Sequence, residues 1–227
     1  MSSDETTSVR TRRGLADKRR AIMDGALTVF ARDGYSRGSI DAIAAQAGVS
    51  TRTIYNHFHD KARLFQTLIQ ESATQVADAQ IALIDRYLYK VTDLEQDLIA
   101  FSRVWATPMS AYTEHFALVR QINAEVGHIP QAALDAWQET GPLRVRRELA
   151  RHLQRLADQG LLHIDDADRA AIHFVLLAAT EVANRSYHGA IPLPQTEINR
   201  IAAAGVRAFL HGYLPVGPNE PVMRALR

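Results

Sequence analysis

The sequence predicts an all-α protein. Apolar residues recur at the 3.6-residue spacing of amphipathic helices along most of the 227 residues, and glycine or proline separates one such stretch from the next. No segment keeps the alternation of apolar and polar residues that marks a strand, and no long internal repeat is present. A chain of this length can bury a full core and form one or two domains.

Two short helices are predicted between Ser39 and Phe58. Ser39 can cap the first helix, whose apolar residues share one face: Ile40, Ile43, Ala44 and Ala47. Gly48 can take the positive φ that ends such a helix, and Ser50 can cap the second. The second helix turns Ile54 and Phe58 inward and leaves polar side chains outside. This order of helix, glycine turn and helix is the helix-turn-helix pattern, which indicates DNA binding.

Further helices are predicted on both sides of this motif. Residues 1–14 are polar and unpatterned, which predicts disorder. A helix over residues 15–32 follows and ends at 33–35, and another begins at Asp60, a capping candidate, and runs toward residue 85. The remaining predicted helices cover residues 94–112, 116–126, 131–139, 143–158, 167–187 and 195–210, with a loop at 188–194.

The composition excludes several classes of protein. Hydrophobic residues at 47% and charged residues at 22% are ordinary for a soluble domain. No apolar run approaches the roughly 20 residues that span a bilayer, and the N-terminus lacks the apolar stretch of a secretory signal. The chain contains no cysteine, so disulfides, thiolate metal sites and cysteine nucleophiles are excluded. We therefore expect a cytoplasmic protein without membrane contact.

Charge is unevenly divided along the chain. The formal net charge is +1, but the first 63 residues carry +4 and the remainder carries −3. The early basic residues are Arg10, Arg12, Arg13, Lys18, Arg19 and Arg20. Such a run is either a solvated tail or, placed ahead of a helix-turn-helix, a set of phosphate contacts. We predict phosphate contacts.

A set of spaced residues runs across the four predicted helices nearest the N-terminus. Its members are Ala26, Phe30, Gly34-Tyr35, Ile40, Ile43, Ala44, Ala47 to Ser50, Thr53 to Phe58, Lys61 and Leu64-Phe65. This set resembles the N-terminal block of the TetR/AcrR family of bacterial one-component regulators. The stretch from Glu125 through Gly141-Pro142 and Gly160-Leu161 to Asp165-Asp166 is similar to the AefR-like subgroup of C-terminal domains.

The resemblance implies a division of roles along the chain. A polar and basic tail over residues 1–14 precedes a helix-turn-helix DNA-binding domain over 15–62. Residues 63–227 then form a helical domain for effector binding and dimerisation. No Gly-x-Ser-x-Gly, phosphate-binding glycine loop or His-Glu-x-x-His occurs, so we expect no enzyme activity and no cofactor.

The second helix of the motif carries the predicted DNA contacts. Arg52 and Asn56 are candidates for reading bases, because arginine pairs bidentately with guanine and asparagine with adenine. Phosphate contacts are expected from short or semi-rigid donors and one lysine at a helix start: Ser39, Ser50, Thr51, Thr53, Tyr55, His57 and Lys61.

Several of these residues have a structural alternative. Both serines can act as helix caps alone, Tyr55 can pack partly in the core, and Arg52 can reach a phosphate instead of a guanine. His57 and His59 are two positions apart on a helix, a spacing that does not suit shared metal ligation. We therefore predict no metal ligand.

Two regions of the C-terminal domain carry the remaining predictions. The late helices 167–187 and 195–210 have apolar faces too broad for one buried stripe, which indicates either a second burial partner or the core helices of a large bundle. The resemblance to the TetR/AcrR family favours a four-helix dimer interface. An apolar effector cavity is expected among bulky residues with a few polar anchors. The candidates are Trp105, Met109, Tyr112, Phe116, Arg120, Trp137 and His173, with His115, Glu125 and Asn184 as further possible anchors.

These observations favour one function and leave alternatives. The leading prediction is a TetR-like repressor that binds palindromic operator DNA as a dimer and is released by a small, fairly apolar effector. The alternatives are a protein of the same fold controlled by a protein partner, as a nucleoid or division factor, and an activator.

Substitutions at Arg52 and Lys61 separate base reading from phosphate contact. We expect Arg52→Ala to relax sequence preference by about 1–3 kcal/mol at one base pair. Lys61→Ala should weaken binding to all duplexes equally and flatten the salt dependence. Titrations against operator variants at two salt concentrations measure both effects, and indistinguishable profiles for the two variants would contradict the assignment.

Overall fold

A computed structural model describes the backbone of residues 3–215 and the side chains of residues 14–215. Within these residues the regular structure is entirely helical, which confirms the predicted fold class. The helices are α1 Ser3–Arg37, α2 Ile40–Ala47, α3 Thr51–Phe58, α4 Lys61–Leu88, α5 Leu94–Ala106, α6 Thr113–Ala124, α7 Gln131–Thr140, α8 Pro142–Asp158, α9 Ala167–Ala178, α10 Thr180–Arg185 and α11 Gln195–Tyr213, with 3-10 turns at Ser110–Tyr112 and Val126–His128. Among the described helices, none combines the length and apolar character needed to cross a membrane.

The described chain divides into two compact units. The first contains residues 3–77 and 109–142, and the second contains residues 78–108 and 143–215. Helix α4 contributes to both, with its first 17 residues in one unit and the rest in the other. The predicted boundary at residue 62, between a DNA-binding domain and an effector-binding and dimerisation domain, stays a prediction.

The first unit has an apolar core that α1, α2, α3, α4, α6 and α7 share. Phe30 packs edge-on against Phe65, with ring centroids 5.0 Å apart, and Tyr35 lies 4.8 Å from the same ring. Ile54 and Phe58 of α3 are 1% and 4% exposed, so the predicted inward face of this helix is confirmed. Burial of such side chains stabilises the folded state by about 1.5–3 kcal/mol each.

Helix α1 differs from the prediction at both ends. It begins at Ser3, whereas we predicted disorder over residues 1–14 and a helix start at residue 15. Residues 3–13 contain no proline or glycine, and extending an existing helix avoids the unfavourable nucleation step. At the other end, Gly34 leaves the helical region with φ 79°, as predicted, but a last turn continues to Arg37.

The second unit is centred on aromatic packing. Phe174 of α9 lies 5.8 Å from Phe101 of α5 and 5.1 Å from Phe209 of α11, measured between ring centroids. All three rings are completely buried. They join α5, α9 and α11 in one core.

The single helix predicted over residues 167–187 is wrong, because the structure has two helices there. Helix α9 ends at Ala178, and Ala179 has φ −134° and ψ −29°, outside the helical region. Helix α11 passes so close to this break that a Cβ on Gly205 would lie 2.0 Å from the carbonyl oxygen of Leu177. Thr180 donates its hydroxyl to the Val175 carbonyl at 3.2 Å, which helps to satisfy the end of α9.

Gly205 is therefore expected to tolerate no side chain. Gly205→Ala should destabilise the protein by about 1–3 kcal/mol, because the atoms that its Cβ meets belong to the backbone and cannot rotate away. Gly212→Ala on the same helix is the matched control, since its Cβ would meet nothing within 4 Å. The control should gain up to about 1 kcal/mol from helix propensity. Urea unfolding measures both, and equal stability of the two variants would contradict the close approach.

Candidate nucleic-acid interface

The turn between α2 and α3 has the Ser39 cap and the positive φ at Gly48 that the sequence predicted. The Ser39 side chain accepts from the Ala42 N–H at 3.1 Å and so caps α2. Gly48 adopts φ 65°, and its N–H donates to the Ala45 carbonyl at 3.3 Å. Val49 donates to the Ala44 carbonyl at 3.0 Å, which completes a Schellman motif. The last carbonyls of α2 are thus satisfied while the chain turns into α3.

Ser50 holds the start of α3. Its hydroxyl accepts from the Thr53 N–H at 3.2 Å and lies 2.9 Å from the Thr53 hydroxyl. Both serines therefore act as helix caps, which was one of the two alternatives for each. Both side chains are also exposed, so a cap role and a phosphate contact are compatible at these positions.

The outer face of α3 carries the predicted base-reading residues. Arg52 and Asn56 are exposed and stand one helical turn apart, so they share a face. Within the described part of the chain, neither side chain has a hydrogen-bond partner. Tyr55 lies beside them and is 48% exposed, which argues against the alternative that it packs in the core. Thr51, Thr53 and His57 are half-buried at the edges of the face.

Lys61 has contacts within the protein that the sequence did not predict. Its ammonium donates to the Ser36 carbonyl at 3.2 Å and lies 4.8 Å from the centroid of the Tyr35 ring. Burial lowers the pKa of Lys61, and the Glu125 carboxylate opposes that shift. Glu125 in turn accepts from the Ser36 N–H at 2.9 Å. Glu125 was a possible effector anchor, and its carboxylate instead binds the end of α1.

The early basic residues have different surroundings. Lys18 and Arg20 are exposed, as phosphate contacts would need to be. Arg19 forms an ion pair with Glu71 and lies 5.8 Å from the centroid of the Phe58 ring, and the hydrogen bond to Glu71 raises the pKa of Arg19. Its guanidinium thus joins α1 to α4. The side chains of Arg10, Arg12 and Arg13 lie outside the described residues.

The predicted effector residues fall in both units. In the first unit, the half-buried members are Met109, Tyr112, Phe116, Arg120 and Trp137. In the second unit, Trp105 is half-buried with its ring 5.3 Å from Phe101, whereas His173 is exposed and hydrogen-bonded to the Tyr213 hydroxyl at 2.7 Å.

Two buried polar groups, one in each unit, differ in whether they have a hydrogen-bond partner. His115 lies 2.8 Å from the Ser72 hydroxyl, and burial lowers the pKa of its imidazole to about 4, so the ring is neutral at pH 7. Ser102 is completely buried, and its hydroxyl has no hydrogen-bond partner among the described atoms. Native proteins pair nearly all such groups, so Ser102 has an unused hydrogen-bonding capacity.

The second unit also contains an open cavity of about 680 Å³. Its lining comes from α4, α8 and the start of α9 and consists of Ile81, Arg144, Arg147, Glu148, Ala150, Arg151, Gln154, Ala167 and Asp168. None of the predicted effector residues belongs to this lining. The cavity is therefore distinct from the effector site predicted from the sequence.

Comparison with known proteins agrees with this geometry. Residues 22–68 match bacterial regulatory proteins of the tetR family, and residues 96–215 match the C-terminal domain of AefR-like transcriptional repressors. A TetR-family regulator from Mesorhizobium loti MAFF303099 is 31% identical, with a TM-score of 0.77, and the match covers 88% of this chain and 98% of that one. The flavonoid-responsive regulator FrrA is 30% identical with the same coverage and a TM-score of 0.64.

Similarity to curated sequences is more partial. The HTH-type transcriptional repressor Rv1474c of Mycobacterium tuberculosis is 28% identical over 141 residues, which is 53% of this chain and 75% of that protein. Two other curated relatives, the regulator AcrR of Shigella flexneri and the repressor AcnR of Corynebacterium diphtheriae, are matched over 34% of their own length.

A capped helix-turn-helix followed by a second helical region defines a DNA-binding transcriptional regulator. The chain belongs to the TetR family and has an AefR-like C-terminal domain. Because this is a family of regulators, the expectation that the protein is not an enzyme is confirmed.

Two substitutions at Ser50 separate capping from DNA contact. Ser50→Ala removes the acceptor for the Thr53 N–H and should cost about 1 kcal/mol of stability. Ser50→Asp keeps an acceptor but adds a negative charge, so it should fold normally and bind DNA about tenfold less tightly or worse, an effect of about 1.4 kcal/mol. Urea unfolding and DNA titration at one salt concentration test the pair. Wild-type affinity in Ser50→Asp would show that Ser50 is only a cap.

Proposed function

We propose that the protein is a repressor that binds a palindromic operator as a homodimer and leaves it when a small effector binds. The observation that carries this proposal is the exposed face of α3, where Arg52 and Asn56 stand one turn apart on a helix fixed at its N-terminus by Ser50. Donors on such a face can reach base edges in the major groove.

The DNA contacts are proposed from exposure and chemistry. Arg52 and Asn56 read bases, with guanine and adenine as their preferred partners. The phosphate contacts, which fix the register on the duplex, come from the surrounding donors: Ser39, Ser50, Thr51, Thr53, Tyr55, His57 and Lys61. Lys61 also supports the end of α1 through Ser36, so its substitution should affect folding as well as binding.

The dimer interface is proposed on the outer face of α9 and α11. Leu176 and Leu177 are 55% and 42% exposed on α9, although leucine is usually buried. Ala204 and Ala208 are exposed one turn apart on α11, so this helix also presents small apolar groups. Two-fold pairing of α9 and α11 with their copies in a second subunit would bury these leucine and alanine side chains. A dimer also offers two copies of α3 for the two half-sites of an operator.

The effector is proposed to be a small and largely apolar molecule, bound by residues of the region 63–227. FrrA, a relative matched over most of its length, is described as flavonoid-responsive, which favours a flat aromatic compound. The predicted aromatic residues suit such a ligand, and Arg120 suits an anionic substituent.

Selection of DNA by the purified protein tests the proposed function. We expect the duplexes selected from a random pool to share one palindromic motif, because a two-fold dimer reads two identical half-sites. Arg52→Ala should lose the preference at one base pair in each half-site. Enrichment without any motif would contradict the proposal and would indicate an architectural DNA-binding role.

The dimer part has its own test. Leu176→Asp should shift the protein to a monomer in sedimentation velocity and weaken operator binding at the same protein concentration, because a charge would be buried in the interface. Val126→Asp is the matched control, since Val126 is also 55% exposed but belongs to the other unit. A dimer that persists in Leu176→Asp would contradict the proposed interface.

A further inference from the structure

Three side chains of the kind that ligate metals meet between α4 and α8 in the second unit. They are Asp85, Glu148 and His152, and one ligand atom from each lies within 4.8 Å of the others. The Nε2 atom of His152 is 2.9 Å from an Asp85 carboxylate oxygen and 3.3 Å from a Glu148 carboxylate oxygen. No metal ligand was predicted from the sequence, and Asp85 lies 67 positions before His152, so spacing alone could not indicate this group.

The two ligands on α8 are held in place by burial and by helix geometry. Glu148 and His152 are four residues apart, so their side chains project from the same side of the helix. The side chains are 10% and 4% exposed, respectively. A carboxylate and an imidazole so far from water need polar partners, and here each faces the other.

The third ligand leaves the group accessible. The Asp85 side chain is 56% exposed, so an ion and its water can reach it from solvent. Glu148 also lines the open cavity of about 680 Å³. A path for entry and space for a water ligand are therefore present.

Two of the three distances between ligand atoms suit a small tetrahedral ion. Zinc binds imidazole nitrogen and carboxylate oxygen at about 2.0–2.2 Å, which places neighbouring ligand atoms of a tetrahedron roughly 3.4 Å apart. The nitrogen-to-oxygen distances of 2.9 and 3.3 Å require shifts of only a few tenths of an ångström. Three protein ligands with a fourth position for water are a common zinc arrangement.

The surrounding groups indicate how the ring would change on binding. Arg155 donates to His152 Nδ1 at 2.5 Å, so Nε2 carries the proton and donates it to Asp85. An ion on Nε2 requires this proton to move to Nδ1. Arg155 can then turn toward the Tyr89 ring, whose centroid is already 5.7 Å from its guanidinium.

We propose that Asp85, Glu148 and His152 form a binding site for one divalent transition-metal ion, with Zn²⁺ as the best-suited ion. Arg151 pairs with Glu148, and Arg155 donates to His152. None of Asp85, Glu148 and His152 is a proposed contact to DNA or to the effector.

Zinc titration of the full-length, chelator-treated protein by calorimetry tests the site. We expect one ion per chain in the wild type. Affinity should fall at least about tenfold in Asp85→Asn and in His152→Gln, since each removes one of three ligands. Asp85 is more than half exposed, so its variant should fold normally even if His152→Gln does not. Zinc should also raise the unfolding temperature of the wild type more than that of Asp85→Asn.

The matched control is His163→Gln. His163 lies 3.7 Å from Asp165, and both side chains are largely exposed, so this pair represents adventitious surface binding in the same unit. The control should bind zinc like the wild type, and Co²⁺ bound to both should show the visible bands of tetrahedral coordination, which Asp85→Asn should lose. No binding in the wild type, or unchanged affinity in Asp85→Asn, would overturn the proposal.

Discussion

The burial of Ile54 and Phe58 in the core of the first unit determines what α3 can present to DNA. Helix α3 has eight residues, and helices of this length are not stable alone in water. Its persistence therefore depends on these two anchors and on the Ser50 cap. Because both anchors lie on one side, the positions of Arg52 and Asn56 on the other side follow from helix geometry.

The same constraint extends to the end of α1. Both polar groups of the Ser36 backbone are satisfied by charged side chains, the N–H by Glu125 and the carbonyl by Lys61. Gly34 makes this arrangement possible, because a Cβ at that position would lie 2.6 Å from the Glu125 carboxylate. Ser36, which lies just before the helix-turn-helix, is thus bound by Glu125 in the segment after α6. This contact connects two parts of the first unit that are far apart in the sequence.

The second unit depends on close backbone packing and on buried polar groups. Gly205 lets α11 approach the end of α9, and this approach accompanies the break at Ala179. Helix α8, which precedes α9 in the chain, carries the buried residues Glu148 and His152. Their burial is compatible with folding because each side chain is hydrogen-bonded or ion-paired. Such a network has the ligand chemistry of a metal site without depending on a metal for its polar contacts.

The sequence by itself determined the all-α class, the helix-turn-helix and its caps, because these depend on local periodicity and on residues with restricted roles such as Gly48 and Ser50. It also predicted the family correctly, since the matching residues are concentrated in that local motif. The contacts of Lys61 and the group around His152 were decided by tertiary structure alone, as was the break in the helix predicted over residues 167–187. Each of these depends on residues far apart in the chain, whose distance in space is set by how the helices pack rather than by any local pattern.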